Sequence, residues 1–309
     1  MPSLISSRLH RLWQSDLSWA FRHSPVAMLS LLVVFILIFS ALFAPWLAPV
    51  NPYDPAGLDL MNGFTAPLTA NDFTGESFLL GTDDQGRDVL STILYGMRIS
   101  LFVGFAAVTF AMVLGISLGL LAGYLGGWVD TVIMRIADVQ LTFPSILVAM
   151  LIFGIAKGVT PVEYRDQMAI WVLIIAIGLS DWVQFARVVR GAAMVEKQRE
   201  YVLAAQLIGQ PSITIMLRHI LPNVLSPVFV IATISLALAI IAEATLSFLG
   251  VGAPPTQPSL GTLIRIGQGF MFSGEWWILL FPALTLLALA LSVNLLGDWL
   301  RDALNPKLR

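Results

Sequence analysis

Apolar residues in this chain gather into six long blocks, and polar residues collect in the gaps between them. Roughly 20 apolar residues cross a bilayer as a helix. On that criterion spans are predicted at about 26–46, 99–122, 131–156, 168–187, 224–249 and 276–297. Trp46 stands where it can anchor the first span at an interface. Gly115, Gly119 and Gly123 are each four apart along the second. That spacing puts them on one helical face, where another backbone can approach closely, and packing within the chain is preferred to a dimer seam.

The segment from Glu200 to Pro222 is patterned rather than merely polar. Tyr201, Ala205 and Ile208 fall at i, i+4 and i+7, and Ile213, Leu217 and Ile220 repeat the spacing. Gly209 suits the left-handed residue that ends a helix, and Pro211-Ser212 suits the start of the next. The expectation is a helix-turn-helix outside the bilayer. It reads either as an amphipathic hairpin resting on the membrane surface or as a docking element for a partner that drives conformational change. The pattern by itself favours the first.

Of 309 residues 57% are hydrophobic and 12% charged, about half the charged share of a soluble domain, and the mean hydropathy is +0.84. The class is a polytopic membrane protein. A net charge of −2 without a basic tail implies no nucleic-acid partner. With no cysteine and three scattered histidines (His10, His23, His219), no metal cage and no cofactor are expected. The first apolar run follows Arg8, Arg11, Arg22 and His23, as a signal peptide would. It is too long for one and ends in Pro45-Trp46, so it is read as a retained span.

Basic residues set the orientation. With the N-terminus inside, the inner segments hold Arg8, Arg11, Arg22, Arg187, Arg190, Lys197, Arg199, Arg218, Arg301, Lys307 and Arg309. The outer ones hold Arg87, Arg98, Lys157, Arg165 and Arg265, with many acids between the first two spans. Both termini and the 190–222 loop are therefore expected in the cytoplasm.

No lysine follows a glycine, so the Gly-x-x-x-x-Gly-Lys phosphate loop is absent; an ATPase driving this chain would be another polypeptide. Acids within spans are costly and are functional candidates. Glu243, in the outer half of the fifth span, either faces an aqueous pathway or hydrogen-bonds a neighbouring helix. Asp138 is expected to pair with Arg135 three residues earlier. Asp181 is expected near the cytoplasmic end of its span, and Asn294 in an interhelical hydrogen bond. No catalytic constellation can be assembled, so no enzyme activity is expected.

The Glu200–Pro222 segment, with Ala204-Ala205, Gly209 and Leu221-Pro222, resembles the EAA loop of binding-protein-dependent ABC importer permeases. Three further blocks resemble the C-type permease subunit of dipeptide/oligopeptide importers. These are Leu80–Val89 with Tyr95–Arg98, Leu246–Pro255, and Asn294–Ala303, with Asn305-Pro306-Lys307 closing the tail. Two positions depart: Leu203 stands where the loop carries an acid before the alanines, and His219 where an aliphatic residue is usual.

The resemblance implies an all-α membrane protein of six transmembrane helices with the MetI-like permease fold, in the bacterial inner membrane. Its segments would be a cytoplasmic 1–25, a first helix 26–46, a periplasmic 47–98, a permease core 99–298 with the coupling loop 190–222, and a cytoplasmic tail 299–309. It implies coupling to an ATPase through Glu200, Ala204, Ala205, Gly209, Leu221 and Pro222, with Glu243 a candidate for the translocation pathway. The implied partners are a homologous second permease in a heterodimer, two cytoplasmic nucleotide-binding subunits, a periplasmic solute-binding protein and membrane lipid. The cargo would be a di- or oligopeptide, or alternatively nickel or glutathione. A stand-alone secondary transporter is the rival from another class; it would need ion-coupling residues or broken helices deep in the membrane.

Overall fold

The computed structural model describes residues 20–54 and 58–304. The expectations placed on Arg8, Arg11, Pro55, Lys307, Arg309 and the Asn305-Pro306-Lys307 ending lie outside those residues. The described chain is helical: α1 Pro25–Leu42, α2 Ala44–Leu47, α3 Val89–Leu125, α4 Gly127–Leu141, α5 Ser145–Val159, α6 Arg165–Glu196, α7 Glu200–Leu207, α8 Ser212–Phe248, α9 Leu260–Gln268 and α10 Trp277–Leu304.

Five stretches are long and apolar enough to cross a membrane, and a sixth if the α4–α5 pair is one broken span. The third expected span, 131–156, is thus not a single helix. It bends by 97° between α4 and α5, at Thr142-Phe143-Pro144. Pro144 has no N–H to continue the ladder, and its ring pushes Phe143 out of the helical region. Gln140 secures the inner arm, its Nε2 donating to the carbonyls of Leu179 (2.7 Å) and Ser180 (3.0 Å) while its Oε1 accepts from Trp182 Nε1 (2.8 Å).

The other spans overrun their hydrophobic blocks. α3 begins ten residues before 99, because Asp88 caps it by accepting from Ser91 N at 2.9 Å. The fifth span starts at Ser212 rather than 224: a π-turn at Ile215–Ile220 carries the helix on from the turn after α7 without a break. Periodicity alone could not show that join, since Pro222 reads as an interruption, yet proline is tolerated where the ladder is already offset. α9, capped by Ser259, was not foreseen because its apolar stretch is too short to cross a bilayer.

The tightest seam is between α3 and α6. A Cβ on Gly115 would stand 2.6 Å from Trp182 O, on Gly119 2.6 Å from Ala186 O, and on Gly123 2.7 Å from Arg190 O. The glycine stripe therefore packs within the chain, as expected. Val103, Ala107, Phe153, Phe185, Val189 and Ile220 form the larger buried core beside it. A second core joins α1, α3, α9 and α10 through Val34, Met97, Leu260 and Leu289.

Residues 47–54 and 58–88 fold over the ends of these helices with no strand longer than an isolated bridge among the described residues. A buried Asp83–Arg87 pair at 2.6 Å braces this cover, and Trp277 Nε1 donating to Thr82 O at 3.0 Å pins it to α10.

Gly119→Leu is expected to lower the stability of the purified protein by about 1–3 kcal/mol, the usual cost of overpacking. Val113→Leu, at an exposed position of the same helix, should leave the thermal unfolding midpoint unchanged.

Candidate functional site

Two places gather polar and conformationally special residues: the turn after α7 and the outer end of α8. At the first, Gly209 has φ of +75°. Gln210 N donates to Ala205 O (3.1 Å) and Gly209 N to Gln206 O (3.0 Å), the paired bonds of a Schellman ending. A Cβ on Gly209 would meet nothing within 4 Å, so it is the sign of φ, and not crowding within the chain, that calls for glycine.

The face that α7 buries differs from the expected one. Val202 and Ala205 pack against Ile215, Met216 and Ile220, whereas Tyr201 and Ile208 are exposed, as are Ile213 and Leu217. More apolar residues occur here than one face can hold, so Leu203, Leu207 (88% exposed) and Ile208 (74%) are left on the surface. Glu200, Ala204, Gly209 and Pro222 are exposed, Leu221 is half-buried and Ala205 buried.

The turn is fastened to the spans. Lys197 Nζ donates to Tyr124 O at the end of α3 (2.5 Å) and lies 5.2 Å from the Tyr124 ring centroid. Arg190 forms an ion pair with Asp130 of α4. Tyr201 Oη donates to Glu196 and accepts from Asn223 Nδ2 at 3.0 Å. Burial, and then the bond to Glu196, push the phenol of Tyr201 above its usual range, so it stays a neutral donor. His219 Nε2 lies 3.0 Å from Gln210 Oε1, which explains this departure from the loop pattern: the ring braces the turn. At the other departure, Leu203, no ion pair passes to Glu200; the local pair is Arg199 with Glu196, at 3.8 Å.

At the outer end of α8, Glu243 is 0% exposed. Ser100 Oγ of α3 donates to one carboxylate oxygen and Ser247 Oγ to the other, both at 2.7 Å. Ser100 in turn accepts from Leu260 N of α9 (3.2 Å), and Ser247 from Ala253 N (3.0 Å). The carboxylate thus knots α3, α8, α9 and the connecting loop. Of the two readings of Glu243, this geometry favours the hydrogen bond to neighbouring helices over a pathway-facing group. Gly252 passes so close that a Cβ would lie 2.2 Å from Ser247 Oγ. Ser100 and Ser247 were missed in the sequence; a serine four residues after an intramembrane acid was the available signal.

Three other expectations are corrected. Asp138 pairs with Arg187 of α6 at 2.6 Å, not with Arg135, which is exposed. Asp181 stands midway along α6, since that helix runs on to Glu196. Asn294 is half-buried, and among the described residues its side chain makes no hydrogen bond, so the interhelical bond expected of it is not seen there. Among the described residues no group of His, Cys, Asp or Glu could hold a metal ion.

Helices long and apolar enough to cross a membrane several times define a polytopic membrane protein. The chain belongs to the family described as binding-protein-dependent transport system inner membrane component, which matches residues 115–309. The N-terminal transmembrane domain of oligopeptide transport permease C matches 11–67. The chain is 38% identical to the di/tripeptide transport system permease protein DppC of Pseudomonas aeruginosa, over 100% of this chain and 95% of that one. It is 38% identical to the dipeptide transport system permease protein DppC of Haemophilus influenzae (94% and 93%) and 35% identical to the oligopeptide transport system permease protein OppC of Bacillus subtilis (99% and 93%). A solved structure of the MetNI methionine ABC transporter shares the fold, with a TM-score of 0.51 and 18% identity over 69% of this chain and 97% of that one. The protein is a multi-pass bacterial inner-membrane component of the ABC importer class.

Glu243→Ala is expected to cost about 1–3 kcal/mol, because it strips the acceptor from two buried hydroxyls. Glu243→Gln, which keeps one acceptor, should cost less. Thermal unfolding of the purified variants checks this; a change in solute affinity at unchanged stability would return Glu243 to the pathway.

Proposed function

We propose that this chain is one of two homologous permease subunits of an ATP-driven importer of di- and oligopeptides. It forms half of the translocation pathway and has no catalysis of its own. Two cytoplasmic nucleotide-binding subunits supply the energy, and a periplasmic solute-binding protein delivers cargo. The cytoplasmic, membrane and periplasmic segments are those given by 1–25, 26–46, 47–98, 99–298 and 299–309.

The observation that carries this reading is the exposed apolar face of α7 and its glycine turn. Leu203, Leu207, Ile208, Ile213 and Leu217 are all exposed, and exposed apolar side chains gathered in one turn mark a protein or membrane contact. The two readings of the loop part here, because its inner face is already filled by the chain's own core. An outward apolar face at the tip of a braced turn suits a groove on a partner. Glu200, Ala204, Gly209 and Pro222 would line the contact, while Ala205 and Leu221 would hold its shape from within.

ATP-driven closure of two such partners becomes a rigid-body movement of the attached spans. The driving energy enters as a difference in partner affinity between inward- and outward-facing states. The peptide class follows the named relatives. One of these is a glutathione transport system permease protein GsiD of Pectobacterium atrosepticum, 38% identical over 94% of this chain, so a glutathione-like tripeptide belongs to the same reading. Among the described residues, the bend between α4 and α5 is the one feature shared with an ion-coupled carrier, and no observation favours nickel.

Gly209→Val is expected to abolish ATP-dependent peptide uptake in proteoliposomes holding the whole transporter. A branched side chain at positive φ costs about 1–2 kcal/mol, enough to unwind the turn without unfolding the spans. Abundance in the membrane should be unchanged. Normal uptake by this variant would count against docking through the turn.

A further inference from the structure

The outer segments carry five basic residues, and they are not scattered. Arg87 is tied up in its buried pair with Asp83, and Arg98 borders a wide apolar cavity beside α1. The other three, Lys157, Arg165 and Arg265, converge from α5, α6 and α9 on one small pocket of about 100 Å³, walled by Gly250, Gly252, Pro254 and Pro255. Its remaining charged lining residue is Asp166, so three cations and one acid leave a local charge of +2. Among the described residues, the side chains of Lys157, Asp166 and Arg265 make no ion pair or hydrogen bond. Arg165 spends only its Nε, on Thr160 O at 3.2 Å. Arg265 Nε is buried and meets no acceptor.

An unpaired guanidinium nitrogen withdrawn from water is costly unless an acceptor arrives. The acceptor is an anionic oxygen group, because three cations against one acid line the space. We propose that this pocket takes the carboxylate of one aspartate or glutamate on the soluble solute-binding protein as that protein docks. The inference rests on the functional reading above. Asp59, Asp72 and Glu76 are exposed on the cover over the spans and disfavour an acidic contact there. An acidic contact is therefore favoured at this pocket. The pocket wall is also pinned to the buried knot, since Ala253 N donates to Ser247 Oγ and Ser247 to Glu243. A carboxylate seated here touches the loop that Glu243 holds.

The test uses proteoliposomes carrying the complete transporter, with the solute-binding protein added outside. Arg265→Gln should raise the half-saturating concentration of binding protein about tenfold or more, as losing one partner of a buried charge pair does, with maximal uptake unchanged. Lys157→Gln, at the exposed rim, should raise it less and flatten its dependence on salt. Unchanged half-saturation in both variants, or a fall in maximal uptake alone, would overturn the proposal. Independently, zero-length carbodiimide coupling should join Lys157 Nζ to an aspartate or glutamate of the binding protein, read by peptide mass spectrometry. No coupling at Lys157, or coupling only to the terminal carboxylate of free peptide, would also overturn it. This second arm needs no transport, so it reports on the pocket even where the peptide-import reading fails.

Discussion

The acid at position 243 has no water to turn to, and the outer half of the molecule is arranged around that fact. A carboxylate enclosed by protein within a bilayer is tolerated only when hydrogen bonds replace its hydration. Ser100 and Ser247 provide them, and each serine also accepts a backbone N–H, from Leu260 and Ala253. The same few atoms thereby satisfy the start of α9 and the turn after α8. Gly252 and Gly261 let the chain come this close: a Cβ on Gly261 would stand 2.3 Å from Ala244 O.

The inner half is built on a different constraint. There the α3–α6 seam brings backbones together without polar side chains, and dispersion contacts between close helices replace the hydrophobic drive that lipid cannot supply. At the end nearest α7 the seam gives way to Arg190–Asp130 and to Lys197 on Tyr124. The turn after α7 is thus carried by ionic and hydrogen-bonded groups that grip span ends, while its apolar tip faces away. Rigidity behind and exposure in front are what a docking element requires.

Much of this was legible. Hydropathy located five spans and the parts of the sixth, the four-residue glycine spacing located the seam, and Gly209 with Pro211-Ser212 located the turn. What escaped depended on tertiary partners. Asp138 chose Arg187 over Arg135 because α6 runs alongside α4, a fact no local spacing holds. The buried side of α7 could not be read, since Val202/Ala205 and Tyr201/Ala205 both satisfy a helical period and only the neighbours decide. The fracture at Pro144 was visible as a proline inside a span, but its angle comes from packing. Glu243 was legible as an unusual residue; its two serine donors were not, because one of them is 143 residues away in sequence.

α8 runs unbroken from Ser212 to Phe248. At 1.5 Å per residue that is about 55 Å of helix, so the turn after α7 and the Glu243 knot are opposite ends of one rod. A push on Ile213 therefore has little slack to disappear into before it arrives at the far leaflet, apart from the π-turn at one end and Pro227 within. Those two spots are where torque on the rod would be dissipated or steered, and they make the stiffness of a single helix, rather than any relay of side chains, the measure of how faithfully the two sides of the membrane keep time.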